Sequence, residues 1–244
     1  MMVKVFFYFL AVAALLVYAA FVIRTAAHLA GWLKGPSAEK PGRGQPLGGG
    51  GAGAAALDVI FLRRLFRVNK VLWLGEWVFH ASLVLVLIRH LRYFLTPVPQ
   101  FVWQMQAAGR AAGYVLPFSL LYIFAVKAAA NRGRQMFAYN YVLLSGFFII
   151  SSLGALLSLY FYPNVVAVKE FMMFALDPKA LLSGAVPGGV LAGFHGEAPF
   201  LAHFILALCL LLYLPSHIFA APFTIYQARR REESVKGGFF SPAP

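Results

Sequence analysis

Six histidines stand in the chain: His28, His80, His90, His195, His203 and His217. Four of them, His80, His90, His203 and His217, fall inside long apolar runs, where a polar ring is costly and marks a site by default. Imidazole can ligate a metal, relay a proton or hydrogen-bond to a neighbouring helix. A lone intramembrane histidine is most often the last of these, but four in two pairs are harder to assign that way. His80 and His90 are ten residues apart, which puts them about 80° apart around a helix and about 15 Å along it. His203 and His217, fourteen apart, are about 40° around and about 21 Å along. Each pair shares one helix face.

The elements that must carry these rings are set by composition. Hydrophobic types make up 61% of the 244 residues and charged types only 12%, about half the share usual in a globular domain. The mean hydropathy is +0.75. A soluble protein and a disordered chain are excluded by this balance, a nucleic-acid module falls with them, and the single Cys209 excludes a disulfide scaffold. Apolar runs at roughly 5–23, 71–95, 111–130, 138–162 and 200–221 are each long enough to cross a hydrocarbon core of about 30 Å as a helix. The first run has only Lys4 ahead of it and lacks a cleavage signature before Arg24, so it is taken as a span and not as a signal peptide. Cys209, in the last run, is expected to be a buried packing residue.

Orientation follows from the basic residues, which also account for a net charge of +13. The first connection (Arg24, Lys34, Lys40, Arg43, Arg63, Arg64, Arg67, Lys70), the third (Arg132 and Arg134, with Lys127 at its edge) and the tail (Arg229, Arg230, Arg231, Lys236) should be cytoplasmic. The expected fold is therefore all-α: a polytopic membrane protein, a bundle of five transmembrane helices with its N-terminus outside and its C-terminus in the cytoplasm. Its expected divisions are 1–34, the first helix and flank; 35–70, a cytoplasmic linker containing Gly48 to Gly51; 71–230, a four-helix core; and 231–244, a cytoplasmic tail. The long fourth connection, 163–199, is open to two readings, an amphipathic segment lying on the outer membrane surface or an ordered loop covering the bundle. A bacterial or archaeal cytoplasmic membrane is the expected location.

Spans two and five run in opposite directions in this topology, so His80 faces His217 towards the cytoplasm and His90 faces His203 towards the outside. Two neutral imidazoles opposed across a helix interface suit the axial positions of a haem, and the two levels give two haem b groups. A structural zinc site wants four ligands at one level and neither pair has a Cys or carboxylate at hand. Proton relay and plain hydrogen bonding between helices stay open as alternatives. Arg89 and Arg92, near the outer end of span two, are cationic partners of the kind that haem propionates need. Glu76, one turn before His80 on the same face, suits a tuning or proton-carrying role as well as that of an interfacial anchor beside Trp73 and Trp77. His28, just past span one, is expected to be an interfacial histidine.

The segments around these residues resemble a known family. Phe79-His80, His90 with Phe94-Leu95-Thr96-Pro97, Phe194-His195-Gly196, and His203 with Pro215, His217-Ile218 and Ala221-Pro222 are similar to the gamma, cytochrome b subunit of respiratory nitrate reductase and its wider superfamily. That superfamily includes the membrane cytochromes of sulfite-reductase-linked and heterodisulfide-reductase-type complexes. The resemblance covers spans two to five. It implies a five-helix diheme cytochrome b that reacts with menaquinone or ubiquinone and exchanges electrons with a cytoplasmic iron–sulfur partner, heterodisulfide-reductase-like or molybdoenzyme-associated. It further implies that Arg110, at the start of span three, serves a quinone site beside the distal haem. His217 follows about one helical turn sooner than in nitrate reductase itself, which points to a partner other than a nitrate-reducing molybdoenzyme. His195, in the outer loop, has the chemistry to accept a quinol proton and equally that of a loop histidine bonded to backbone. No Cys cluster and no dinucleotide fingerprint supplies an electron sink, so the chain is expected to act as a subunit. An extracytoplasmic c-type cytochrome as electron partner, and a haem-free anchor or proton relay, are the competing functions.

Overall fold

The computed structural model describes residues 2–34, 57–130, 138–193 and 198–216. The Gly-rich linker, His195, His217 and the basic tail lie outside them. The described residues form helices α1 (Met2–Lys34), α2 (Arg63–Val68), α3 (Lys70–His90), α4 (Gln100–Gln104), α5 (Gln106–Ala130), α6 (Ala138–Leu156), α7 (Val165–Leu176), α8 (Pro178–Ser183), α9 (Gly188–Gly193) and α10 (Ala198–Tyr213). Among the described residues there is no strand. Four stretches are long and apolar enough to cross a membrane: Met2–Gly31, Lys70–Tyr93, Gln106–Ala129 and Tyr141–Phe161. The fifth predicted span is represented by the 16 residues of α10, and its remainder beyond Ser216 lies outside the described residues. His28, expected just beyond the first span, stands within the α1 helix and within that first candidate stretch.

Large apolar side chains point away from the protein along these helices. Phe9, Ile23, Leu87 and Phe118 are all exposed, Phe118 by 70%. Water would penalise such surfaces heavily, whereas lipid tails accept them at no cost, so the exposed apolar faces fit a bilayer environment. Lipid also removes the hydrophobic drive for one helix to join another, and association then depends on close packing and small residues.

The residues divide into two compact units, Met1–Ala19 with Leu74–Leu211 and Ala20–Trp73 with Leu212–Pro244. In the first, α3 and α5 run antiparallel at close range because glycines face the partner helix. A Cβ on Gly75 would stand 2.5 Å from the Tyr122 ring, and one on Gly109 would stand 2.8 Å from the Leu85 carbonyl oxygen and 2.7 Å from Cβ of Arg89. Gly109 and Gly113 are spaced as the small-xxx-small pair that lets membrane helices touch. Near the other end, Glu76 Oε1 meets Lys127 Nζ at 2.8 Å, an ion pair between α3 and α5.

In the connection 163–199, the described residues 163–193 form short capped helices, and α7 packs into the core with α1 and α10, as the ordered-loop reading expected. Asn164 accepts from the Val166 and Ala167 amides and starts α7, while Asp177 caps α8 with Pro178 behind it and Gly184, at φ 67°, ends that helix. These caps satisfy the end groups that helices otherwise leave orphaned. The α7 helix sends Phe171, Met172, Phe174 and Ala175 into the core and leaves Met173 exposed. Phe171 is fully buried, edge-on to Phe7 of α1 at 5.9 Å and to Phe204 of α10 at 5.5 Å. Ala11 and Ala14 of α1 are fully buried in the same cluster. Along α10 the inward face is Phe200, Phe204 and Leu208. Cys209 follows Leu208 by one residue, about 100° around the helix, and is exposed, which corrects the expectation of a buried packing residue.

In the second unit the basic stretch after the linker is ordered. Leu57 to Val68 make short helical turns in which Arg64 pairs with Asp58 at 3.8 Å, and Trp73 Nε1 donates to the Phe61 carbonyl at 2.7 Å. Asn69 Oδ1 accepts from the Leu72 amide at 2.9 Å at the start of α3. Arg24 of α1 donates to the Leu212 carbonyl at 2.7 Å, just before the turn Leu214–Ser216 that ends α10.

Two substitutions separate close packing from mere helix content. Gly109→Ala drives a methyl group into the Leu85 carbonyl and should lower stability by about 1–3 kcal/mol. Gly113→Ala meets only Val86 Cγ2 at ordinary contact, 3.8 Å, and should be neutral or better. Thermal unfolding in detergent, followed by circular dichroism, reads the difference, and equal melting temperatures would refute the packing argument.

Candidate functional site

Within the first unit, His90 at the end of α3 and His203 in the first turns of α10 are brought together. Their ring centroids are 6.5 Å apart and the ring planes differ by 25°. Each ring is held from behind by a backbone carbonyl. His90 Nδ1 lies 2.7 Å from the Val86 oxygen, and His203 Nδ1 lies 3.0 Å from the Ile150 oxygen of α6. A carbonyl can only accept, so Nδ1 carries a hydrogen in both rings, and in the neutral imidazole Nε2 is then the nitrogen with a free lone pair. His80 repeats the pattern one level away, with Nδ1 at 2.6 Å from the Glu76 oxygen. Backbone bonds of this kind orient metal-ligating imidazoles and make them more basic.

The seat of His203 depends on a residue that the sequence did not single out. A Cβ on Gly154 would stand 3.1 Å from Cε1 of His203 and 3.6 Å from its Nδ1. Gly154 is four residues after Ile150, on the same side of α6, so the ring lies across bare backbone to reach the Ile150 carbonyl. The available signal was a glycine inside an apolar helix, which marks a close approach. Phe204, next to His203, is fixed by Phe171. Tyr93 and Phe94, which follow His90, pack against the same core, and the Tyr93 ring lies 5.9 Å from His90. The aromatic core under α7 therefore sets both ends of the histidine pair.

Cations crowd the His90 end. Arg92 donates from one terminal nitrogen to Gln106 Oε1 at 2.9 Å and from the other to the Tyr93 hydroxyl at 2.6 Å, with its guanidinium 4.7 Å from the Tyr93 ring centroid. The buried Nε of Arg92 has no hydrogen-bond partner. Arg89 feels the charges of both Arg92 and Arg110. Among the described residues none of these three arginines is in an ion pair. Arg110 is exposed in α5 and follows Gly109, whose backbone lies against Cβ of Arg89.

Other expected residues are placed as follows. His80 is exposed on α3 next to buried Phe79, whose ring meets Phe147 of α6 at 5.5 Å. Its expected partner His217, and His195, lie outside the described residues. Glu76 is neither free nor a plain interfacial anchor, because Lys127 neutralises it across the α3–α5 contact. His28 is exposed on α1. Among the described residues no three or more His, Cys, Asp or Glu side chains converge on one point.

The chain is similar to the Hdr-like menaquinol oxidoreductase cytochrome b-like subunit of Archaeoglobus fulgidus, with 29% identity over 187 residues. That stretch is 67% of this chain and 54% of the relative, so the chain spans about half the length of the curated protein it matches. No family model and no solved structure matches the chain. The relative's name belongs with the heterodisulfide-reductase-type membrane cytochromes and not with the nitrate reductase gamma subunit.

The residues present suit a haem on three counts. A metal held by two imidazole nitrogens at about 2 Å each would set the ring centroids roughly 6 Å apart, close to the 6.5 Å observed. The Gly154 cradle admits one ring, and the unpartnered Arg92 Nε offers a donor to an anionic edge. Gly154→Leu fills the cradle and should leave about half of the wild-type b haem in the purified protein. Gly146→Leu, at a position on α6 with open space around it, should leave haem content unchanged. Pyridine haemochrome assay of both variants checks this, and equal haem in the two would remove Gly154 from the site.

Proposed function

We propose that this chain is a membrane cytochrome b subunit of a quinone-linked redox complex. It holds two bis-histidine b haems and passes electrons between the membrane quinone pool and a cytoplasmic iron–sulfur partner of heterodisulfide-reductase type. The observation that carries the reading is the pair His90 and His203, both with Nδ1 committed to backbone and both with Nε2 free. The similarity to a menaquinol oxidoreductase subunit supports the same chemistry and favours menaquinone.

His90 and His203 hold one group, and His80 with His217 holds the second, nearer the cytoplasm. A haem bound between such imidazoles supplies reversible one-electron transfer within the low-dielectric membrane. The helix carbonyls of Val86 and Ile150 engage Nδ1 of the two rings, so Nε2 of each is the nitrogen that would be offered to the iron. Arg89 and Arg92 offer charge to propionates at the outer edge. Arg110, close to Arg89, binds the quinone head group on that side, and His195 accepts the proton a quinol must lose there. The lysines and arginines of the cytoplasmic connections present the docking surface for the iron–sulfur partner.

Purified protein should contain two b haems per chain by pyridine haemochrome and reduced-minus-oxidised spectra. His90→Ala and His203→Ala should each remove the same one, leaving identical residual spectra. Zero haem in the wild type would overturn the proposal, and different residual spectra would overturn the pairing. A menaquinol analogue should reduce the wild-type haems, and Arg110→Ala should slow that reduction at least tenfold.

A further inference from the structure

Gln106, the first residue of α5, is tied to three elements at once. Its side-chain oxygen accepts from Arg92 at 2.9 Å, and its side-chain nitrogen donates to the Val102 carbonyl at 2.9 Å and to the Arg89 carbonyl at 3.5 Å. Both ends of the amide are therefore used, and which end carries the oxygen is fixed by the partners: carbonyls demand a donor and a guanidinium demands an acceptor. Between them Gln106 and the Tyr93 hydroxyl engage both terminal nitrogens of Arg92, while Nε remains buried and unpartnered. An unsatisfied buried donor of this kind is rare and calls for a missing acceptor.

The choice of an amide matters electrostatically. A carboxylate at this position would hold Arg92 just as well but would cancel its charge. Gln106 positions the guanidinium and leaves it cationic, stacked at 4.7 Å on the Tyr93 ring, which itself lies 5.9 Å from the His90 ring. The packing that delivers Gln106 there is the close α3–α5 contact through Gly109.

We infer that Gln106 is a positioning residue for the cofactor at His90 and His203: it aims Arg92 so that its full charge and its free Nε–H meet a propionate, and thereby raises the reduction potential of that cofactor. The inference rests on the haem reading of the preceding subsection. A fixed positive charge in a low dielectric favours the state that has gained an electron.

Spectroelectrochemical titration of the full-length purified protein tests it, with the affected haem identified as the one missing in His90→Ala. Gln106→Glu should lower the midpoint potential of that haem and leave the other unmoved, with both haems retained by pyridine haemochrome. Gln106→Leu, which keeps the charge and loosens its placement, should produce a smaller downward shift and a broader titration. Gln106→Asn, an amide one methylene shorter, should fall between Gln106→Leu and the wild type. Unmoved potentials in Gln106→Glu and Gln106→Leu, with two haems present, would overturn this inference and spare the parent reading. Loss of that haem in Gln106→Glu alone, with Gln106→Leu unshifted, would also overturn it. A haem-free wild type would sink the parent reading instead.

Discussion

The hydrogen bond from His203 to the Ile150 carbonyl is the constraint on which the site depends. It crosses from α10 to α6, commits Nδ1 of the ring to a backbone carbonyl, and holds the ring 6.5 Å from that of His90. The ring lies close over Gly154, where a Cβ would stand 3.1 Å from Cε1, and α7 packs against α10 through Phe171 and Phe204. Remove the glycine or the aromatic wedge and the ring retains its chemistry but loses its direction. Preorganisation of this kind has a cost in packing that is met far from the two rings, in a connection that hydropathy alone would pass over.

That connection shows where reading the residues reached and where it stopped. Helix existence was legible because bilayer length and backbone satisfaction leave few alternatives to a run of twenty apolar residues. The opposition of His90 and His203 was legible because helical periodicity put each pair on one face and the basic connections fixed the relative direction of the two helices. The role of 163–199 was not, since a stretch such as Phe171-Met172-Met173-Phe174 has the same composition whether it rests on lipid headgroups or plugs a bundle. The caps at Asn164 and Asp177 and the tertiary contacts of Phe171 show the packing that composition could not. Cys209 was misjudged for a related reason: in a membrane helix an apolar neighbourhood says nothing about inside or outside, and the face had to be read from Phe200, Phe204 and Leu208.

The smaller residues of the site were invisible for another reason. Gly154, Gly109 and Gln106 carry no chemistry of their own, and each matters through what it lets another residue do. Spacing offered hints, a small-xxx-small pair at Gly109 and Gly113 and a lone glycine in α6, but which helix would lie against them follows from the fold. Glu76 shows the same limit. One turn from His80 it reads as a tuning group or as an interfacial anchor, yet it pairs with Lys127, more than fifty residues away along the chain.

Three guanidiniums without an acid among them have one more implication. Among the described residues Arg89, Arg92 and Arg110 have no acidic partner, so any anion that bound there in the folded form would add to its stability by mass action.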